Sequence, residues 1–228
     1  MTKPQKSAQR RARASPRSGS RTAAPRSGRP PGQTSEQTRQ RILLAARECF
    51  AQLGFERATN RDIAAACGLT AAAVYRHFDS KPDLYAAVMR DASAELVVLI
   101  RAAIASQPSA RAALQAIIVN FTSAEAHKAA GLRFLSGVPT EMQRHPEVAQ
   151  RVLAEPGEVF TIMNEIVDAG VRAGEIPRAK SESLVSMLIA MMMGLSAYAN
   201  ALGFAQGELA VAGFVDLFSG KLWKPAAK

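Results

Sequence analysis

Residues 59–82 read TNRDIAAACGLTAAAVYRHFDSKP, and the spacing of caps and glycine in this stretch decides the fold. Thr59 is placed to cap a short helix, and Asp62 follows three residues later in a capping-box pattern that uses the shorter acid. Ile63, Ala64 and Cys67 form the inward side of that helix. Gly68 then breaks it, Leu69 plugs the core, and Thr70 caps the next helix. The spacing predicts a third helix over 71–78, with Val74 and Phe78 four apart and facing inward. In Asp79-Ser80-Lys81-Pro82, Ser80 is placed as a cap. Pro82 lies in the first turn, where its missing donor does no harm.

Outward from this stretch, the chain before it predicts another helix. Ser35 can cap it, and Thr34 and Thr38 are alternatives. Ile42, Leu43, Ala46, Cys49, Phe50 and Leu53 repeat at helical spacing until Gly54 ends the helix and Phe55 packs back. A short helix, a tight glycine turn and a second helix of about eight residues make the pattern of a helix-turn-helix. The alanines at 64–66 suit its close crossing. The groove-facing side then carries Ala71, Ala72, Tyr75, Arg76 and His77. Arg61 is the best guanine reader, since a guanidinium matches two acceptors on that base. Thr59, Thr70 and Lys81 suit phosphates. Taken singly, each of these is an ordinary core, cap or surface residue; their joint arrangement carries the reading.

The same residues resemble a known family. Thr38 to Phe50 with Gly54-Phe55, Thr59 to Ala64 with Gly68-Leu69-Thr70, and Val74-Tyr75-Arg76-His77-Phe78-Asp79-Ser80-Lys81-Pro82-Asp83-Leu84 resemble the start of the TetR family of bacterial transcriptional regulators. The resemblance covers about fifty residues. It implies a homodimer that binds a palindromic operator, usually as a repressor, and that a small molecule in the C-terminal helical domain releases. It also implies that Arg61, Tyr75 and His77 stand at DNA-contacting positions, and Thr59, Thr70 and Lys81 at phosphate-contacting ones. The sequence departs from the family pattern at 71–73, where three alanines replace frequently polar or basic residues, and at Pro82, where a glutamate is frequent.

Composition sets the frame around this module. Alanine and methionine are plentiful and aromatic residues few, which favours an all-α fold. We expect a basic arm over 1–34, a three-helix helix-turn-helix domain over 35–84, and a larger helical effector-binding and dimerisation domain over 85–228. The net charge of +10 sits in the arm, which holds nine Lys or Arg and no acid, whereas 35–84 holds seven bases against six acids. The module must therefore bind DNA by placed contacts rather than by bulk charge. The arm lacks an apolar stretch and does not read as a secretory signal. Its composition suits disorder.

Past residue 81, helices are predicted over 82–104, 108–123, 125–136, 144–153, 156–173, 181–203 and 208–222, with breaks at prolines and glycines such as Gly137-Val138-Pro139. Residues 183–207 carry no charge. That length can span a membrane, but its serines and glycines favour a buried helix or an oligomer seam. We expect 156–173 and 181–203 to form the seam. Candidate effector-pocket residues are Phe121, His127, Phe134, Phe160, Met163 and Tyr198, with Leu132 and Leu135 nearby; core packing is the competing reading for all of them. His77, His127 and His145 lack metal-ligand spacing, and there is no glycine-rich phosphate loop, so no metal, cofactor or catalysis is expected. Cys49 and Cys67 read as buried thiols suited to a cytoplasm. Activation instead of repression, control without an effector, and unspecific DNA binding through the arm are the alternatives.

Overall fold

The structure, a computed structural model, describes residues 34–121, 131–155 and 157–223. The described residues form ten α-helices and one 3₁₀ turn, with no strand among them. They are α1 (Ser35–Arg57), α2 (Asn60–Ala66), α3 (Ala71–Tyr75), α4 (Lys81–Ile104) and α5 (Ala110–Phe121). After these come α6 (Leu132–Arg144), α7 (Pro146–Val152), α8 (Glu158–Arg172), α9 (Ser181–Leu202) and α10 (Phe204–Phe218), with the 3₁₀ turn at Arg178–Lys180 before α9.

Local capping explains the first four starts. Thr34, not Ser35, caps α1, in a reciprocal box with Gln37. Thr59 forms the corresponding box with Asp62 at α2. Thr70 accepts from the amide of Ala73, and Ser80 from that of Asp83. Gly54, at φ +77°, kinks α1 before Phe55 turns inward. Regular helix in α3 stops at Tyr75, three residues short of expectation, although Phe78 N–H still donates to the Val74 carbonyl.

The break expected over 204–207 narrows to Gly203, with Gly207 inside α10, and the break expected over 137–139 does not occur. α6 runs through Gly137-Val138-Pro139. Proline at 139 removes one backbone donor, but Phe134 and Val138, four apart, are both buried on one side of α6 and hold it. Half of the predicted segment over 125–136, residues 125–130, lies outside the described residues, and α6 begins within its other half.

Two apolar cores organise the helices. The first gathers α1, α2, α3 and the start of α4 around Phe50, Phe55 and Tyr85, and takes Phe134 and Val138 from α6 and Val148 from α7. Tyr85 lies 4.9 Å from Phe50 and 5.0 Å from Phe134 between ring centres. The second gathers the end of α4 with α5, α8, α9 and Val211 of α10. α4 runs unbroken across the 84/85 boundary expected from sequence and contributes to both cores. A rigid rod shared by two cores ties the first helices to the rest.

Candidate nucleic-acid interface

The α2–turn–α3 unit is held from behind by α1. The Arg41 guanidinium donates to the Cys67 carbonyl where α2 ends. Gly68 takes φ +65° in the turn, a conformation that favours glycine. Arg39 lies over the Phe78 ring at 5.2 Å. Val74, fully buried, anchors α3 in the first core.

With that side fixed, the opposite side faces solvent. Arg61, Tyr75 and Arg76 are exposed, and Tyr75 keeps 56% of its surface. Ala72 is exposed beside them, and Ala71 and His77 are half-buried. Thr59 and Thr70 are exposed, but both hydroxyls already work as helix caps. The Thr59 hydroxyl also donates to Asp62 at 2.6 Å, and this bond and the Thr59 amide hold the Asp62 carboxyl below its ordinary value of 3.8.

Lys81 is placed differently from the free cation expected of a phosphate contact. Its ammonium donates to the carbonyls of Glu56 at 3.1 Å and Ala58 at 3.0 Å. It also lies 4.4 Å from the Phe55 ring centre. Burial pulls its pKa down from the ordinary 10.5, against the opposite pull of Glu56, Glu141 and Glu147. Two of its three donors thus close the end of α1.

The expected pocket residues do not share one cavity. Phe134 is buried in the first core and Met163 in the second. Tyr198 stands on the exposed side of α9. The side chain of Phe121 and all of His127 lie outside the described residues. Phe160 does line a cavity of about 320 Å³ between α4, α6, α8 and α9, and so does Leu135. Its other walls include Met89, Ser93 and Leu96 of α4, Met142 of α6 and Met192 of α9, none of them anticipated. Their shared signal was faint: methionines at helical spacing look the same in a solid core. Among the described residues no three His, Cys, Asp or Glu stand close enough to hold a metal.

Residues 42–88 match the sequence model described as "Bacterial regulatory proteins, tetR family". This stretch, from within α1 into α4, is similar to the DNA-binding part of the TetR family. The chain is 30% identical over 140 residues to the HTH-type transcriptional activator FasR of Mycolicibacterium smegmatis, covering 60% of this chain and 63% of FasR. It is 36% identical over 69 residues to the HTH-type transcriptional repressor AcnR of Corynebacterium glutamicum, covering 30% of this chain and 37% of AcnR. The matches therefore span less than two thirds of either relative. The fold also matches the crystal structure of the transcriptional regulator FadR from Bacillus subtilis in complex with stearoyl-CoA, at a TM-score of 0.65 and 18% identity, over 80% of this chain and 98% of that one.

Proposed function

We propose that this protein is a cytoplasmic, sequence-specific transcriptional regulator, a repressor that a small apolar effector releases from a palindromic operator. The observation that carries this reading is the capped α2–turn–α3 unit, buried on one side and presenting Arg61, Tyr75 and Arg76 on the other. A planar guanidinium and a phenol on a short fixed helix pair suit base edges and phosphates in a major groove. The alanines at 71 and 72 let the helix approach closely, and His77 and the caps at Thr59 and Thr70 border the contact. Lys81 is left with a supporting role and one spare donor.

Residues 35–84 serve as the reading part and 85–228 as the effector and dimer part. Support for the effector comes from the apolar cavity, whose size falls at the low end of ordinary ligand pockets. Ser93 and Ser196 are its buried polar groups, and Glu155 is the one charged side chain among its described walls. A neutral aliphatic body fits such walls best, and the acyl chain of the ligand in the Bacillus subtilis structure has that character.

Support for a homodimer comes from α9 and α10. Met187, Tyr198 and Leu202 leave exposed apolar surface along one side of α9, and Leu209 and Leu217, eight apart, do so on α10. A side chain added at Gly194 or Gly213 would meet nothing. Exposed glycine in mid-helix costs about 1 kcal/mol relative to alanine, a cost that close approach of a second copy would explain. The seam is thus assigned to α9 with α10, whereas α8, expected to share it, turns Ile162, Met163, Ile166 and Val167 into the second core.

Selection of bound duplexes from random DNA by the full chain tests the reading. The expected product is one palindrome, bound about 10³-fold or more tighter than bulk DNA. Equal binding of all duplexes would refute specific regulation and favour the second reading, an unspecific binder acting through the nine positive charges of residues 1–34. Removing residues 1–32 should weaken all DNA binding alike and flatten its salt dependence. An unchanged salt slope would rule the arm out as a DNA contact.

A further inference from the structure

Glu141 lies on α6 between two residues that line the cavity, Val138 and Met142. Its own side chain reaches the other way, into the kink of α1. One carboxylate oxygen accepts from the backbone N–H of Phe55 at 3.1 Å. The other lies 3.4 Å from Nε2 of His145, and the side chain is only 15% exposed. Gly54 answers to this carboxylate. At φ +77° it favours the absence of a side chain, and a Cβ there would stand 2.9 Å from the Glu141 oxygen.

From Phe55 to the first residue of the reading unit, the chain is held by a run of contacts. The Phe55 ring packs edge-on against Tyr85 at 5.5 Å, beside His145 at 4.9 Å and under the Lys81 ammonium. Lys81 holds the carbonyls of Glu56 and Ala58. Thr59, the cap of α2, comes next. The carboxylate's partner and the cap are thus only four residues apart along a tethered stretch. A side-chain hydrogen bond to a backbone amide holds only within a narrow range of distance and angle, so it depends on the reach of the side chain.

We propose that the Glu141 carboxylate is a positioning residue for DNA binding: it fixes the Gly54–Phe55 turn and thereby sets where α2 and α3 stand relative to the cavity helix. α6 then has the cavity on one side and the root of the reading unit on the other. Occupation of the cavity that shifts α6 must move the Phe55 amide with it. The inference rests on the reading that α2 and α3 bind duplex DNA.

The test compares full-length Glu141→Gln and Glu141→Asp, using the palindromic duplex that the parent protein selects. Glutamine keeps an acceptor oxygen at the same reach and gives up the charge. Aspartate keeps the charge and loses one methylene of reach. We expect Glu141→Gln to bind within about threefold of the parent, and Glu141→Asp to bind about tenfold more weakly, with the Phe55 amide exchanging about tenfold faster with deuterium. Retention by aspartate and loss by glutamine would overturn the proposal, since the charge beside His145 would then be what matters. Equal binding by both would overturn it too. If the parent selects no duplex, the DNA reading itself fails, and the amide exchange of the two variants still decides whether Glu141 holds the turn.

Discussion

Arg61 and Lys81 are both cations beside the same short helices, and the structure separates them. Arg61 is exposed, and Lys81 is tied to two carbonyls at the end of α1. Arg61→Ala is expected to cost about 1–3 kcal/mol of operator binding and to relax preference at one base position. Lys81→Met is expected to lower the melting temperature while leaving the slope of binding against salt nearly unchanged. Measuring affinity across a salt series on all single-base variants of the operator checks both; a slope reduced by about one unit in Lys81→Met would return that lysine to the phosphates. The sequence could not make this distinction. The acceptors of Lys81 lie at 56 and 58, brought close only by the fold. Glu141 was silent for the same reason, with 86 positions separating it from Phe55.

At the scale of elements, what was legible is what is local. The caps at Thr59, Thr70 and Ser80 act on amides three residues ahead, so spacing alone revealed them. α3 has only five residues and cannot persist without its cap and its anchor Val74. Thr70→Ala should destabilise the protein by about 1 kcal/mol in urea unfolding. At α2 the effect has a pH signature. The Asp62 carboxyl is held below its ordinary value, so its contribution is present at neutral pH and is lost as pH falls through that lowered value. Thr59→Val removes the hydroxyl that does most of this, and its acid unfolding should begin at higher pH than the parent's, as measured by circular dichroism. Tertiary packing was not legible. Pro139 announces a break, yet buried neighbours carry α6 through it. A Cβ at Gly170 of α8 would stand 2.5 Å from Ile176 and 2.7 Å from Ala110, a contact that no local pattern announces. Gly170→Ala should therefore cost about 1–3 kcal/mol by crowding, measured as a lowered urea midpoint at constant slope.

For the whole molecule, the all-α architecture was readable from composition and periodicity, whereas composition does not say which helices the proposed seam uses. The uncharged run at 183–207 marks an unusual helix, but a helix buried all round and a helix half covered by a second copy have the same composition. Arg178–Leu202 is also long and apolar enough to cross a membrane, with a third of its most apolar window buried. Its packing against α6, α8 and α10 uses one side and leaves the methionine and tyrosine stripe open. Leu209→Glu, on the exposed side of α10, should convert a dimer to monomers in sedimentation and lower operator affinity by at least about tenfold, since two linked readers become two separate ones. A variant that sediments as the parent does would remove α10 from the seam.

The close approach of Glu141 to Gly54 has a consequence for how this chain can diverge. The two positions form one unit of inheritance, although they are far apart in sequence. Asparagine is the side chain that best tolerates a positive φ, yet at 54 its Cβ would fall within 2.9 Å of the carboxylate oxygen. A side chain at 54 therefore displaces the carboxylate end of Glu141, and a displaced carboxylate gives up the Phe55 amide. A descendant that keeps its reading helices in place has to solve both problems at once, and the expected outcome is that glycine and glutamate are kept or lost together.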